Sequence, residues 1–120
     1  MGCSQGSPAA LATCEVAVDK SIGIDPAAVA KVADDAAKRV FPKVETVAVT
    51  VIMTDAVTVG GEPASVLAKV AHMQTKEERR RREFAEAFRT GLAPLGVKGT
   101  NIGVVVGGNI DGWGPHARLY

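Results

Sequence analysis

Residues 25–53 read DPAAVAKVADDAAKRVFPKVETVAVTVIM, and this stretch decides the fold, because a capped amphipathic helix runs straight into an apolar strand. Asp25 stands at the N-cap, where its carboxylate can accept an orphan amide bond. Pro26 follows at the first helical position, which needs no donor and suits its fixed φ. Val29, Val32, Ala33, Ala36 and Val40 recur at three-and-four spacing and form one apolar face, while Lys31, Asp34, Asp35 and Lys38 form the other. Pro42 stops the helix. Val44 to Met53 is then β-branched and almost continuously apolar at its centre, as expected of a strand covered on both faces.

Upstream, Cys14 to Asp19 alternates, with Cys14, Val16 and Val18 on one side and Glu15, Ala17 and Asp19 on the other, which predicts a strand and completes a β-α-β unit. Downstream, Gly60-Gly61-Glu62-Pro63 signals a turn, and Ala64 to Met73 reads as a third strand. Thr75 and Glu78 form a capping box, and Phe84, Ala87, Phe88, Gly91 and Leu92 give the second helix its buried stripe. Asn101 to Val106 is the fourth strand, ended by Gly107-Gly108-Asn109. The two halves, about residues 12–53 and 64–107, thus repeat one form. A helical crossover in each half predicts parallel, right-handed pairing, with both helices on one face of a four-stranded sheet. The opposite face, apolar by the same reading, also needs covering, so a chain of 120 residues has reason to oligomerise. Trp113, the only tryptophan, is expected to pack against the core or a partner subunit.

A hydrophobic content of 47% against 22% charged describes a globular domain, and a formal charge of +1 speaks against a dedicated nucleic-acid binder. Cys3 and Cys14 show neither CxxC spacing nor a Cys/His cluster, so no metal and no disulfide framework are expected. No other cofactor is expected either: the glycine pairs are too short for phosphate loops. The run Arg79-Arg80-Arg81-Arg82 follows Glu77 and Glu78 at the spacing of helical ion pairs and reads as a solvated face. Residues 1–11 read as a flexible leader before a single domain of residues 12–120. With no basic, apolar targeting segment and no run of about 20 apolar residues, the expectation is a cytoplasmic protein. Met1-Gly2-Cys3-Ser4 looks like a dual-acylation start, in which Gly2 would take myristate and Cys3 palmitate and so associate the chain with membrane. Gly6 stands where that pattern has Ser or Thr, and an unmodified leader is the preferred reading.

The duplicated β-α-β order, the Gly60-Gly61-Glu62-Pro63 turn before the third strand and the Gly112-Trp113 pair near the end together resemble the macrophage migration inhibitory factor and D-dopachrome tautomerase group of the tautomerase superfamily. The resemblance covers roughly residues 12–116. It implies an α/β fold of duplicated β-α-β units with a mixed four-stranded sheet, and a homotrimer whose three sheets face inward as a barrel. It also implies keto-enol isomerisation by an amino-terminal proline of lowered pKa. Here Ala12 falls where that proline would be, behind about eleven residues, and Pro8 is too far upstream to replace it. Lys43 falls at or beside the family's carboxylate-binding lysine. Ala71 and His72 fall near its Ser-Ile pair, Asn101 and Gly103 near its Tyr and Asn, and Ala64 and Leu67 at the cytokine's CxxC.

His72 is a candidate to replace the missing base, because imidazole is the side chain most easily poised near neutrality. His116, in a Gly-Pro-rich tail, is expected to be exposed, and Cys14 to be inert core. Were residues 1–11 removed, Ala12 would offer a primary amine of pKa about 7.7–8.0 as a weaker base. The leading expectation is therefore a trimer with at most weak tautomerase activity on phenylpyruvate-like or other small α-keto acids. Lys43 would orient the substrate, helped by Ala71, Asn101 and Gly103, and His72 or Ala12 would move the proton. A second is a non-catalytic binding or signalling homologue of the same fold. A third is a ferredoxin-like interaction domain, which shares the element order but pairs its strands antiparallel.

Overall fold

In the computed structural model, which describes residues 11–41, 43–71, 78–107 and 109–110, strand β1 (Leu11–Asp19) leads into helix α1 (Pro26–Val40) and strand β2 (Thr46–Thr54). A short hairpin, β3 (Val57–Val59) and β4 (Glu62–Ala64), precedes the second unit, β5 (Val66–Ala71), α2 (Glu78–Leu92) and β6 (Ile102–Val106). A two-residue strand, β7 (Asn109–Ile110), turns back on β6.

The main sheet has the order β2-β1-β5-β6-β7. Within each half the pairing is parallel, from Leu11 opposite Thr46 to Asp19 opposite Thr54, and from Val66 opposite Ile102 to Val70 opposite Val106. The halves meet antiparallel, Thr13 opposite Ala71 and Val18 opposite Val66. Parallel pairing in both units rules out the ferredoxin-like alternative and gives the mixed sheet expected of the duplicated form.

Helix α1 starts as its sequence predicts: the Ala27 N–H donates to Asp25 Oδ1 at 3.0 Å, and Pro26 occupies the first turn. It buries Val29, Ala33, Ala36, Ala37 and Val40. Its last turn is capped from another element, because Arg80 Nη1 of α2 donates to the carbonyl of Val40 at 3.2 Å. That bond places a cation where the helix dipole is negative. The two helices pack on each other, with Gly91 against Val32. A Cβ there would come within 2.5 Å of Val32 Cγ1, so glycine is what lets the helices approach. Phe41, Phe84 and Phe88 form a stacked column, with centroids 6.0 and 5.9 Å apart, and Leu92, Ile102 and the buried strand valines complete the core.

Two expectations change. Within a single chain strand β2 is covered on one face only: as the sheet's edge it turns Val47, Val49 and Val51 toward the helices and leaves Thr46, Ala48, Thr50 and Ile52 exposed. The glycine turn does not stand alone before the third strand. Gly60 and Gly61, at φ of 60° and 81°, are the two-residue loop of the β3–β4 hairpin, a left-handed pair that strongly favours glycine. In the arginine run, Arg79 and Arg80 pair with Glu83 at 3.3 and 4.0 Å. Glu77 and the side chain of Glu78 lie outside the described residues, as do Thr75, His116 and Trp113. No described helix is long and apolar enough to cross a membrane.

Candidate functional site

The start of β1 and the ends of β5 and β6 share one end of the sheet, since Thr13 faces Ala71 and Val70 faces Val106. The loop that brings the chain from α1 to this end contains Lys43. The Val44 N–H donates to the carbonyl of Phe41 at 2.9 Å, closing a turn that presents Lys43 to solvent three residues before Thr46, the partner of Leu11. Lys43, Ala12 and Ala71 thus lie at one end of the fold. His72, next along from Ala71, lies outside the described residues, as do Gly2 and Cys3.

Ala12 is fully buried and sits inside β1, one residue after the strand begins, opposite Val47. Its nitrogen is a peptide nitrogen and cannot take a proton. Asn101 and Gly103 are placed differently from the rest. Asn101 ends the 3-10 turn before β6, where its N–H donates to Lys98 and its carbonyl accepts from Ser65, both at 2.9 Å. Gly103 is buried in β6 opposite Leu67. Because β6 runs parallel to β5, the start of β6 lies beside Val66, five residues from Ala71, or about 17 Å at the rise of a strand. A single chain therefore does not bring Asn101 and Gly103 to Ala12 and Lys43.

The open face of the sheet near the Ala12 end is a hollow of about 550 Å3, whose lining includes Thr13, Glu15, Thr50, Lys69, Ala71 and Val105. Glu15, Lys69 and the threonines were not singled out by the sequence reading. The signal was there: Glu15 and Lys69 are charges at alternate positions in otherwise apolar strands. Cys14 points to the other side, is 2% exposed, and burial pushes its thiol up to about 12. It is neutral and unreactive at physiological pH, as expected of inert core. At the far end Asp19 caps a 3-10 turn. Hydrogen bonds from the Ser21 hydroxyl, at 2.7 Å, and the Ser21 N–H, at 2.9 Å, hold its carboxyl below the usual range.

Arg89 is the buried charge among the described residues, 5% exposed on α2, donating from Nε to the carbonyl of Gly99 and from Nη2 to that of Ile102. These bonds tie the turn that carries Asn101 to the helix. Its position was legible too, for Arg89 falls four residues after Ala85 and three before Leu92, on the buried stripe. Among the described residues no group of three or more His, Cys, Asp or Glu is arranged to hold a metal ion.

No protein-family model and no curated protein sequence matches the chain. Solved structures do. Macrophage migration inhibitory factor of Toxoplasma gondii superposes with a TM-score of 0.64 at 20% identity, covering 78% of this chain and 86% of that one. Leishmania major MIF2 gives 0.65 at 13% identity, with 81% and 87% covered. The symmetric trimer of a wild-type fused 4-OT gives 0.59 at 23% identity, with 78% and 82% covered. The chain has the fold of the tautomerase superfamily, of the macrophage migration inhibitory factor type. At these identities the likeness is one of fold, and chemistry has to be argued from the site.

Proposed function

We propose that the protein is a homotrimeric tautomerase-fold protein that holds small α-keto acids of the phenylpyruvate type and isomerises them at most slowly. The observation that carries this reading is the exposed Lys43 ammonium at the end of the sheet where β1 begins, on a fold shared with tautomerases. An ammonium there can hold a substrate carboxylate. Oligomerisation is supported by the placement of Asn101 and Gly103: a site that joins them to Ala12 and Lys43 requires a second copy. The fused 4-OT neighbour is itself a symmetric trimer.

Proton transfer is the weaker half of the reaction. Keto-enol exchange needs a base of pKa near ambient to move a proton between the α-carbon and the carbonyl oxygen. Two groups can serve as that base, namely His72, beside Ala71, and the Ala12 nitrogen once the residues before it are removed. Until such removal, β1 continuing through Leu11 favours the second reading, a non-catalytic binding or signalling homologue with the same anion handle. We place the protein in the cytoplasm, with acylation of Gly2 and Cys3 as the one route to a membrane.

The test is steady-state tautomerisation of phenylpyruvate, followed by ultraviolet absorbance, for the full-length chain beside Lys43→Ala and His72→Ala. Slow turnover above the buffer rate is expected. Lys43→Ala should lower kcat/KM about 10- to 100-fold, the worth of one hydrogen bond to a charged group. Absence of turnover by the full-length chain would leave the binding-protein reading in its place.

A further inference from the structure

Asn101 ends a 3-10 turn, Gly99–Asn101, whose backbone is bonded on both sides of it. Its N–H donates to the carbonyl of Lys98 and its carbonyl accepts from the Ser65 N–H, both at 2.9 Å, and the Ile102 N–H closes the turn on the carbonyl of Gly99. The Asn101 side chain is left over. It is exposed, and its carboxamide makes no hydrogen bond to a described residue. A donor and an acceptor thus stand uncommitted on a fixed mount.

The mount is completed from outside the turn. Arg89 of α2 donates from Nε to the Gly99 carbonyl at 3.3 Å and from Nη2 to the Ile102 carbonyl at 3.1 Å, so its two bonds bracket Asn101. Burying a guanidinium costs solvation, and an apolar side chain of similar volume often serves stability as well or better. What arginine adds at this place is a planar fork that fixes two carbonyls at once. We propose that Arg89 is a positioning residue: it sets the Gly99–Asn101 turn so that the Asn101 carboxamide donates to an oxygen of the bound α-keto acid. A group held in its bound pose beforehand loses less freedom on binding. The proposal rests on the reading above that Asn101 belongs to the substrate site, and it adds the residue that holds Asn101 in place.

The test is a double-mutant cycle in the full-length chain, comparing Arg89→Lys, Asn101→Ala and the pair with wild type in phenylpyruvate tautomerisation. Lysine keeps the charge but does not hold both carbonyls in one fork. Each single change should raise KM about three- to tenfold, the worth of one hydrogen bond, with kcat changed about twofold or less. The pair should be no worse than Asn101→Ala alone, because Arg89 acts through Asn101. A purely structural arginine would lower stability and leave KM as it was, and two independent contacts would multiply their effects; either result overturns the proposal. If Arg89→Lys does not fold, hydrogen exchange of wild type decides. The Ser65, Asn101 and Ile102 amides should be protected like those inside β5 and β6, and exchange at the rate of an open turn would show that the turn is not held. An Asn101→Ala variant with the KM of wild type would overturn this role and leave the Lys43 site in place. A wild type that neither turns over nor binds phenylpyruvate would overturn the site reading as well.

Discussion

Phe88→Ala is expected to lower the unfolding free energy by about 3–5 kcal/mol, the cost of removing a buried phenylalanine and leaving most of its cavity behind. Phe88 is fully buried and stacks on Phe84, which in turn stacks on Phe41 just past the end of α1. The column joins the two β-α-β units, so the vacancy opens where the helices must hold together and neighbours cannot easily collapse into it. Against the roughly 5–15 kcal/mol that holds a typical domain folded, this is a large fraction. Urea unfolding at a fixed chain concentration measures it, because assembly makes apparent stability concentration-dependent. The midpoint should fall with the slope unchanged. A loss below about 1 kcal/mol would mean that the aromatic column is not the centre of the core, given what buried aromatic truncations cost.

The second large effect is one of pH. Burial raises the Cys14 thiol from 9.0 to about 12, so between those values the unfolded chain releases a proton that the folded chain keeps. The unfolded state then binds fewer protons than the native one, and stability falls as pH rises. The contribution is fully present below about pH 9 and is lost at about 1.4 kcal/mol per pH unit above it, approaching about 4 kcal/mol at pH 12. The comparison has to be with Cys14→Ala, which shares every other ionisable group of the chain. From about pH 8 to about pH 10.5 wild type should lose about 2 kcal/mol more than the variant. Equal losses would show that the Cys14 side chain is reached by water.

Much of the fold could be read from local chemistry. Asp25-Pro26 marks the start of α1 because capping is settled within three residues, and the helical stripes appear in the spacing of Val29, Ala33, Val40, Phe84, Phe88 and Leu92. β2 misled because an edge strand and a central strand can share one composition: Thr46 to Thr54 is apolar enough for either, and only its place in the sheet order decides. The β3–β4 hairpin was hidden because three-residue strands leave no periodicity to detect. For the site, Lys43 and Ala71 are set near Ala12 only through the family resemblance, and the structure puts all three at one end of the fold. Asn101 and Gly103 could not be placed, since nothing local says that the start of a parallel strand lies about 17 Å from the end of its neighbour. Glu15, Lys69 and Arg89 were all legible as charges on apolar faces. What Arg89 meets, the carbonyls of Gly99 and Ile102, is a property of the folded structure.

The central claim, that this sheet is the wall of a three-chain assembly, is tested most directly by sedimentation equilibrium of the full-length chain in neutral buffer. The mass predicted is that of three 12.4 kDa chains, held on dilution through the micromolar range. A species of one 12.4 kDa chain at all concentrations would contradict it, leaving Asn101 and Lys43 at opposite ends of the fold with no site between them.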